Sequence, residues 1–206
     1  MRLSNIQEIK QLALDAKYSI WAKAKQNNRD PKIYLHWTAG GYDSVFSDYH
    51  INITGSGKLY IATTDFSEVL NHTYMRNTGS IGIAACCALN ANTNDLGSCP
   101  PTAQQIEAMS QLICVIADAW DLTTDKQRVM THGEAADNED GIYPNYENNG
   151  CPNGMYGPKH NCERWDLEFL GTSESPKFNP WATDGTRGGD ILRGKGNFYR
   201  SNKFMR

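Results

Sequence analysis

The sequence predicts a single-domain α/β protein with a mixed central β-sheet flanked by helices. Short apolar runs of strand-like composition alternate along the chain with longer segments whose apolar residues recur every three or four positions. A chain of 206 residues suits one compact domain with a sizeable core. Strands that alternate with helices within one domain favour the α/β class.

Two segments have the apolar spacing of amphipathic helices. The first covers residues 4–25, and Ser4 with Gln7 forms a capping-box pattern at its start. The second follows a Pro-Pro pair, and Thr102 with Gln105 forms its capping box. Both helices are expected to pack on the domain core.

Strands are predicted where apolar residues cluster between turn signals. A β-hairpin is expected around a Gly-Ser-Gly turn, because strand-like runs lie on both sides of it. The predicted strands are 32–37, 48–54, 58–63, 80–85 and 128–131.

Three short segments, far apart in the sequence, carry residue types that bind a catalytic metal. His36 lies near the end of the run YLHW, His132 ends the run VMTH, and Asp166 lies in the segment RWDL. A histidine at the end of an apolar strand can reach a cleft at the sheet edge. Two neutral imidazoles and one carboxylate leave the fourth position of tetrahedral zinc for water, which is typical of hydrolytic zinc.

The order of these motifs resembles the zinc amidases of the peptidoglycan-recognition and phage-lysozyme type, which are N-acetylmuramoyl-L-alanine amidases. That family opens with a strand ending in a histidine, here His36, and continues with a Tyr-His pair, here Tyr49 and His50. A small polar turn precedes the sequence SIGI, here 80–83, and a long helix and a second strand-ending histidine follow. The resemblance covers roughly residues 32–171 and implies the family's peptidoglycan-recognition/phage-lysozyme fold.

The resemblance implies a Zn²⁺ site with His36, His132 and Asp166 as its ligands. In the family the third ligand usually follows the second histidine much more closely than the 34 residues found here. We favour Asp166 because Arg164 precedes it by two residues, where relatives carry a cationic residue. Other residues in the interval remain alternatives for the third ligand: Asp137, Cys151, His160 and Cys162.

The resemblance also implies catalytic roles. Arg164 is expected to stabilise the carbonyl oxygen as it becomes negative, and Tyr49 to orient water or stabilise the same oxyanion. Some relatives place a glutamate general base after the SIGI strand, but that position is Ala84 here. Glu134 follows His132 by two residues, so both side chains would face one cleft if the strand continued. We hypothesise that Glu134 transfers protons; a hydrogen bond to a ligand is the alternative.

Three further residues are candidates for substrate binding. His72 and Asn77 match the family's segment that lines the substrate groove. Trp37 either stacks on sugar or packs beneath the sheet, and packing is the favoured interpretation. His50 points to the opposite face from Tyr49 by strand alternation, so we interpret it as structural.

The chain divides into three parts of one domain. Residues 1–30 form an N-terminal helix packed on the domain, and 31–171 form the zinc amidase catalytic domain with a loop insertion at about 137–162. Residues 172–206 form a C-terminal extension with seven Lys or Arg against three Asp or Glu. That excess either favours anionic cell-wall polymers or marks a solvated surface segment, which is the plainer interpretation.

Composition limits the partners. A net charge of −3 argues against a nucleic-acid binder, and no apolar run is long enough to insert into a membrane. The first residues lack the apolar segment of a secretory signal. The protein is therefore expected to be made in the cytosol and to act on the cell wall, as a phage or prophage lysin or an exported enzyme, and as a monomer. A disulfide between Cys151 and Cys162 is left open.

The function that these motifs imply is zinc-dependent hydrolysis of the amide bond between N-acetylmuramic acid and L-alanine in peptidoglycan. A non-catalytic protein that binds muropeptides in the same groove is the alternative; retention of a carboxylate at Asp166 favours the enzyme. A zinc peptidase is a further alternative, weakened because the chain has no His-Glu-x-x-His motif.

Overall fold

The computed structural model describes residues 1–142 and 163–205. Its elements follow one another as β1 (Arg2–Ser4), α1 (Ile6–Lys25), β2 (Lys32–Trp37), β3 (Ile51–Ile53), β4 (Leu59–Ile61), β5 (Ser80–Ala85), α2 (Ala103–Ala119), β6 (Val129–Thr131), α3 (His132–Ala136) and α4 (Gly188–Ser201). The alternation of strands and helices confirms the predicted α/β class.

Within the described residues, six strands form one mixed sheet in the order β1-β4-β3-β5-β2-β6. The pairs β3–β5, β5–β2 and β2–β6 are parallel, whereas β3–β4 and β4–β1 are antiparallel. Every residue of β2 and β5 is buried. Parallel strands with both faces covered read as continuous apolar runs, which is why the sequence pattern located these two strands.

The predicted helix α2 begins at the predicted cap. The Thr102 hydroxyl accepts from the Gln105 backbone N–H, and the Gln105 side chain accepts from the Thr102 backbone N–H, so both halves of the capping box are present. The helix contacts both α1 and α4 and packs on β3 and β5. It is therefore the central helix of the domain.

The predicted cap of α1 was wrong by one residue. Asn5 is the cap, and its side-chain oxygen accepts from the Glu8 backbone N–H at 3.0 Å. Ser4 instead belongs to β1, an edge strand that the sequence pattern did not reveal and that pairs with β4. Strand pairing with distant residues thus displaced the start of the helix.

The C-terminal extension is not the solvated segment that composition suggested. Residues 188–201 form α4, which packs on α2 and buries Leu192 completely. Arg187 and Arg193 are only 4% and 6% exposed. The excess positive charge of this segment is therefore partly used inside the protein.

In the part of the chain that the structure describes, none of the helices has the length and apolar character needed to cross a membrane.

Candidate metal centre

His36 lies near the carboxyl end of the central strand β2. The strand pairs with β5 on one side and β6 on the other, and His36 lies opposite Ala84 in the register with β5. The residue is fully buried. Its position follows directly from the buried parallel strand that the sequence predicted.

His132 is reached by a change from strand to helix. β6 ends at Thr131, which caps α3, so His132 is the first residue of that helix. The Thr131 hydroxyl accepts from the Glu134 backbone N–H at 3.1 Å. This cap turns the chain away from the sheet direction immediately after the strand.

Asp166 is carried by a loop that packs against the first turn of α3. Its backbone carbonyl accepts from the Gly133 N–H at 3.2 Å. A Cβ at Gly133 would lie 2.8 Å from a Glu168 carboxylate oxygen, so the close approach of loop and helix requires glycine. The next residue, Leu167, has a φ of 62°, which turns the chain sharply after the aspartate.

The structure brings the three predicted ligands together. One potential donor atom from each of His36, His132 and Asp166 lies within 4.8 Å of the others, and all three residues are buried. The Asp166 Oδ2 atom lies 3.5 Å from His36 Nδ1 and 3.2 Å from His132 Nδ1. Side chains separated by 34 or more residues therefore converge on one point.

Two atoms at this point lack a partner. Among the described residues, His36 Nδ1 and Asp166 Oδ1 are buried and accept or donate no hydrogen bond. A buried polar atom without a partner destabilises the fold unless something else satisfies it. An imidazole nitrogen and a carboxylate oxygen are both ligand atoms that zinc accepts, so a bound cation would satisfy them.

The surroundings of His36 and Asp166 keep these two ligands in the form that binds a metal. Burial lowers the pKa of His36 to about 4, so its imidazole is neutral at pH 7. Burial opposes ionisation of Asp166, but the nearby Arg164 guanidinium and the hydrogen bond with His132 outweigh it and hold the pKa of that carboxyl well below its usual value. A neutral imidazole and a carboxylate are the forms that bind metals.

Arg164 and Tyr49 lie beside the three ligands. The Arg164 guanidinium donates to Asp166 Oδ2 at 3.0 Å and to the Tyr49 hydroxyl at 2.9 Å. The Tyr49 ring centroid lies 5.0 Å from that of His36. Burial raises the pKa of Tyr49, so its hydroxyl stays protonated at neutral pH. Both residues therefore lie beside the candidate ligands.

Glu163 is a residue of the site that the sequence analysis missed. Its Oε2 atom lies 2.5 Å from His132 Nε2, on the nitrogen that does not contact Asp166. Burial opposes protonation of His132, but its hydrogen bonds to Asp166 and Glu163 outweigh that and raise its pKa. The only signal in the sequence was that Glu163 adjoins the Arg-Trp-Asp motif.

The geometry on which the proton-transfer hypothesis for Glu134 rested is not the geometry of the structure. The hypothesis required β6 to continue past His132, but α3 begins there, and residues two apart on a helix do not face the same side. The Glu134 carboxylate accepts from both terminal nitrogens of Arg193, each at 2.7 Å, and from the Thr131 N–H at 2.9 Å. It therefore holds the strand-to-helix turn.

Trp37 packs inside the protein, as in the interpretation favoured from the sequence. Trp37 is 2% exposed, and its ring meets the Trp165 ring edge to face with centroids 4.6 Å apart. Trp165 in turn stacks on Phe169. These rings anchor the loop that carries Asp166 to the end of β2.

His72 and Asn77, which the resemblance places in the substrate groove, make hydrogen bonds within the protein. His72 is 6% exposed, and both of its ring nitrogens bond within the protein, to Thr73 and Ser80. The Asn77 side-chain oxygen accepts from the backbone N–H groups of His72 and Thr73 at 3.1 and 2.7 Å. Asn77 therefore holds the turn that positions the side chains of His72 and Thr73.

His50 has the structural role that was predicted for it. Its Nδ1 atom accepts from the Gly82 N–H at 3.1 Å, so the proton is on Nε2, which donates to the Glu68 carbonyl at 2.9 Å. The ring is fully buried. It thus joins the loop after β4 to the strand β5.

Of the four alternative third ligands, Asp137 lies within the described residues and the other three do not. Asp137 accepts from Arg187 at 3.1 Å and is used in that ion pair. Cys151, His160 and Cys162, together with the disulfide considered for the two cysteines, lie outside the described residues. Within the described ranges, the cluster that the geometry supports is the one with Asp166.

Three solved structures that are similar to this chain have low sequence identity to it. The endolysin N-acetylmuramoyl-L-alanine amidase LysCS from Clostridium intestinale URNW is 17% identical, with 60% of this chain and 75% of that chain covered and a TM-score of 0.41. The Ph2119 endolysin from the Thermus scotoductus MAT2119 bacteriophage Ph2119 is 20% identical, with 52% and 74% covered and a TM-score of 0.40. The amidase LysC from C. intestinale URNW is 17% identical, with 60% and 76% covered and a TM-score of 0.40. A comparison with curated proteins found no significant match.

A comparison with protein families is decisive, because one family model matches residues 16–154, more than half of the chain. The model describes N-acetylmuramoyl-L-alanine amidases, which confirms the resemblance found in the sequence motifs. The match includes His36 and His132, whereas Asp166 lies beyond its end. The protein is a hydrolase of bacterial peptidoglycan, and the chain belongs to the N-acetylmuramoyl-L-alanine amidase family.

Proposed function

We propose that this amidase depends on a zinc ion held by His36, His132 and Asp166, and that it cleaves the bond between N-acetylmuramic acid and L-alanine. The observation that carries the proposal is the convergence of the three side chains within 4.8 Å. The buried, unpartnered His36 Nδ1 and Asp166 Oδ1 atoms support it. Both atoms are compatible with a cation and unfavourable without one.

The donor set favours zinc over other metals. Two imidazole nitrogens and one carboxylate oxygen form a three-ligand set of the kind found in catalytic zinc sites, whereas Mg²⁺ and Ca²⁺ prefer oxygen ligands alone. When bound, zinc supplies a Lewis acid and lowers the pKa of water towards neutrality. The ligands fit this chemistry because His36 is neutral and Asp166 is ionised.

Arg164 is proposed to stabilise the negative charge that develops on the carbonyl oxygen of the substrate. Its guanidinium side chain is 23% exposed, so it combines a partly desolvated environment with access from outside. The Asp166 and Tyr49 contacts hold it in one orientation before substrate binds. A preorganised donor of this kind can contribute about 3–4 kcal/mol to transition-state stabilisation.

Tyr49 is proposed to donate a hydrogen bond to the same oxygen. Its hydroxyl oxygen already accepts from Arg164, which leaves the hydroxyl proton directed elsewhere. Because burial raises the pKa of Tyr49, the group is a donor rather than a base at neutral pH. Because the Glu134 carboxylate is paired with Arg193, we propose that a group other than Glu134 donates the proton that the leaving amine requires.

We also propose that the protein acts on the cell wall as a monomer, as a phage or prophage lysin or an exported enzyme. The net charge of −3 supports the further proposal that it does not bind nucleic acid. Peptidoglycan is the substrate class that the family implies.

The test is digestion of purified peptidoglycan, with released amino termini and reducing sugars scored separately. We expect new L-alanine amino termini without new reducing ends, loss of activity with a chelator, and recovery with zinc. Asp166→Ala is expected to lose turnover to background, and Glu174→Ala, an exposed acid in the C-terminal extension, is the control. Zinc binding without cleavage would instead favour the muropeptide-binding alternative.

A further inference from the structure

A chain of hydrogen bonds begins at Ser80, the first residue of β5, and leads to His36. The Ser80 hydroxyl lies 2.8 Å from the Arg76 carbonyl oxygen and 2.9 Å from the Asn77 carbonyl oxygen. Carbonyl oxygens only accept, so the single Ser80 proton is donated to one of them. The Ser80 oxygen can then only accept from His72 Nε2, which lies 3.4 Å away.

The direction of the next bond follows from this. A neutral imidazole with its proton on Nε2 has a lone pair on Nδ1, so His72 Nδ1 is an acceptor. The Thr73 hydroxyl lies 2.9 Å from that atom and therefore donates to it. Its only proton is then used, and the Thr73 oxygen can only accept from His36 Nε2, at 3.3 Å.

His36 is the last residue in this series of hydrogen bonds. With its proton on Nε2, its lone pair is on Nδ1, the buried atom that lies 3.5 Å from Asp166 Oδ2 and has no hydrogen-bond partner among the described residues. We propose that Ser80, His72 and Thr73 are positioning residues that fix the tautomer of His36, so that Nδ1 is ready to bind the metal. The inference rests on the proposed function because it takes His36 as a ligand.

The surrounding backbone supports this arrangement. The Asn77 side chain holds the N–H groups of His72 and Thr73 and so sets the direction of both side chains. A Cβ at Gly82 would lie 2.7 Å from His72 Cγ, so the imidazole occupies space that only glycine at this position leaves open. The buried ring therefore has a dedicated place between β5 and His36.

Groups beyond the ligands that fix a histidine ring commonly change metal affinity by about 10–100-fold when removed. A ring that already has its lone pair on the metal-facing nitrogen needs no proton rearrangement before it binds. The three side chains would act through His36 and would not touch the substrate.

The direct test is the tautomer of His36 and His72 in the metal-free protein, read from the ¹⁵N chemical shifts of the ring nitrogens. We expect both rings to be neutral with the proton on Nε2. A proton on His36 Nδ1 would overturn the proposal, because each hydrogen bond between Ser80 and His36 would then have its donor and acceptor exchanged. This measurement does not depend on whether the protein binds zinc or cleaves peptidoglycan.

The second test is zinc affinity, measured by competition with a chromophoric chelator. Thr73→Val removes the hydroxyl at nearly constant shape and is expected to raise the zinc dissociation constant by about 10-fold or more, whereas Thr73→Ser should retain the wild-type value. The exposed Thr64→Val is the control. Ser80→Ala should also weaken binding relative to Ser110→Ala, another buried serine that donates to a carbonyl.

An unchanged dissociation constant in both Thr73→Val and Ser80→Ala would overturn the proposal. Thermal unfolding of each metal-free variant shows whether a change in affinity comes from lost stability. If the wild-type protein bound no zinc, the proposed function would fail. The tautomer measurement would still decide whether the hydrogen bonds run from Ser80 to His36 as proposed.

Discussion

The two halves of the metal centre are held in different ways. On the strand side, His36 lies in the central strand β2, and the ring nitrogen away from Asp166 meets the uncharged hydroxyl of Thr73. On the helix side, His132 begins the short helix α3, and its corresponding nitrogen meets the carboxylate of Glu163. One half is built from neutral hydrogen bonds and the other from charges.

The charges on the helix side continue into the C-terminal extension. Arg193 of α4 pairs with Glu134 and also donates to the Val129 carbonyl at 3.0 Å. Arg187 pairs with Glu168 and with two acids near the end of α3, Asp137 and Glu139. Both arginines lie beyond the residues that the family model matches. The extension therefore supplies the cations that hold the turn before His132 and the loop after Asp166.

This difference predicts how strongly the stability of the protein responds when one interacting side chain in each half is replaced. When one partner of an uncharged hydrogen bond on the strand side is removed, one hydrogen bond is lost, which has a modest effect on stability. Removing one partner of a buried ion pair leaves an uncompensated charge in a poorly solvated place. The helix side is therefore expected to be the more sensitive half with respect to folding.

The largest expected effect is on the helix side. Arg193→Met leaves the buried Glu134 carboxylate without its cation, and we expect the free energy of unfolding to fall by about 3–5 kcal/mol. Urea-induced unfolding of the metal-free protein measures the change. The double variant Glu134→Gln/Arg193→Met removes both charges but keeps an acceptor for the Thr131 N–H, and it should recover most of the loss. A change below about 1 kcal/mol in the single variant would contradict the comparison.

The next effect is a dependence of the free energy of unfolding on pH. It comes from His50, a buried histidine that donates to and accepts from backbone groups on the strand side. Burial lowers the pKa of His50 to about 4, and the Gly82 N–H that donates to Nδ1 requires that nitrogen to be unprotonated. The unfolded chain takes up a proton near pH 6.5, before the folded protein does. The stability that the neutral ring contributes is therefore complete above pH 6.5 and is lost as the pH falls to about 4.

The expected loss is about 3 kcal/mol between pH 7 and pH 4, measured as the difference between the wild type and His50→Gln. Taking this difference cancels the titration of groups that both proteins share. The free energies of unfolding of the two metal-free proteins should therefore converge, or change order, as the solution is acidified. Parallel pH profiles would show that His50 does not contribute to acid sensitivity.

The smallest of the three effects compares the partners of the two histidines. Glu163→Gln replaces a charged acceptor of His132 with a neutral one, and we expect zinc binding to weaken by about 10-fold. Hydrogen bonds to charged groups are stronger than neutral ones, so the effect should at least equal that of Thr73→Val. Chelator competition measures both constants, and the exposed Glu174→Gln is the matched control. Equal affinity of Glu163→Gln and the control would remove Glu163 from the site.

Local patterns predicted much of the fold. The buried strands β2 and β5 and the helix α2 were located because apolar residues follow the period of each element. The edge strand β1 and the helix α4 were missed. β1 has three residues and is defined by its pairing with β4, and α4 contains four glycines, which weaken a helical pattern.

Glu134 shows where local reasoning about the site failed. A position two residues after His132 faces the same side in a strand and a different side in a helix. The sequence contains the capping box that starts the helix, Thr131 followed by Glu134, but the hypothesis assumed that the strand continued to Glu134. The tertiary contact with Arg193, 59 residues away, stabilises the helical turn.

The sequence by itself determined the family, the α/β class and the three side chains that converge, since these depend on short motifs and on the periodicity of apolar residues. Only the tertiary structure decided which neighbours act on those side chains: Thr73 beside His36, Glu163 beside His132, and Arg193 on Glu134. The physical reason is that a hydrogen bond or ion pair depends on distances of a few ångströms between residues far apart in the chain. Such distances are set by packing of the whole domain and leave no periodic signal in the sequence.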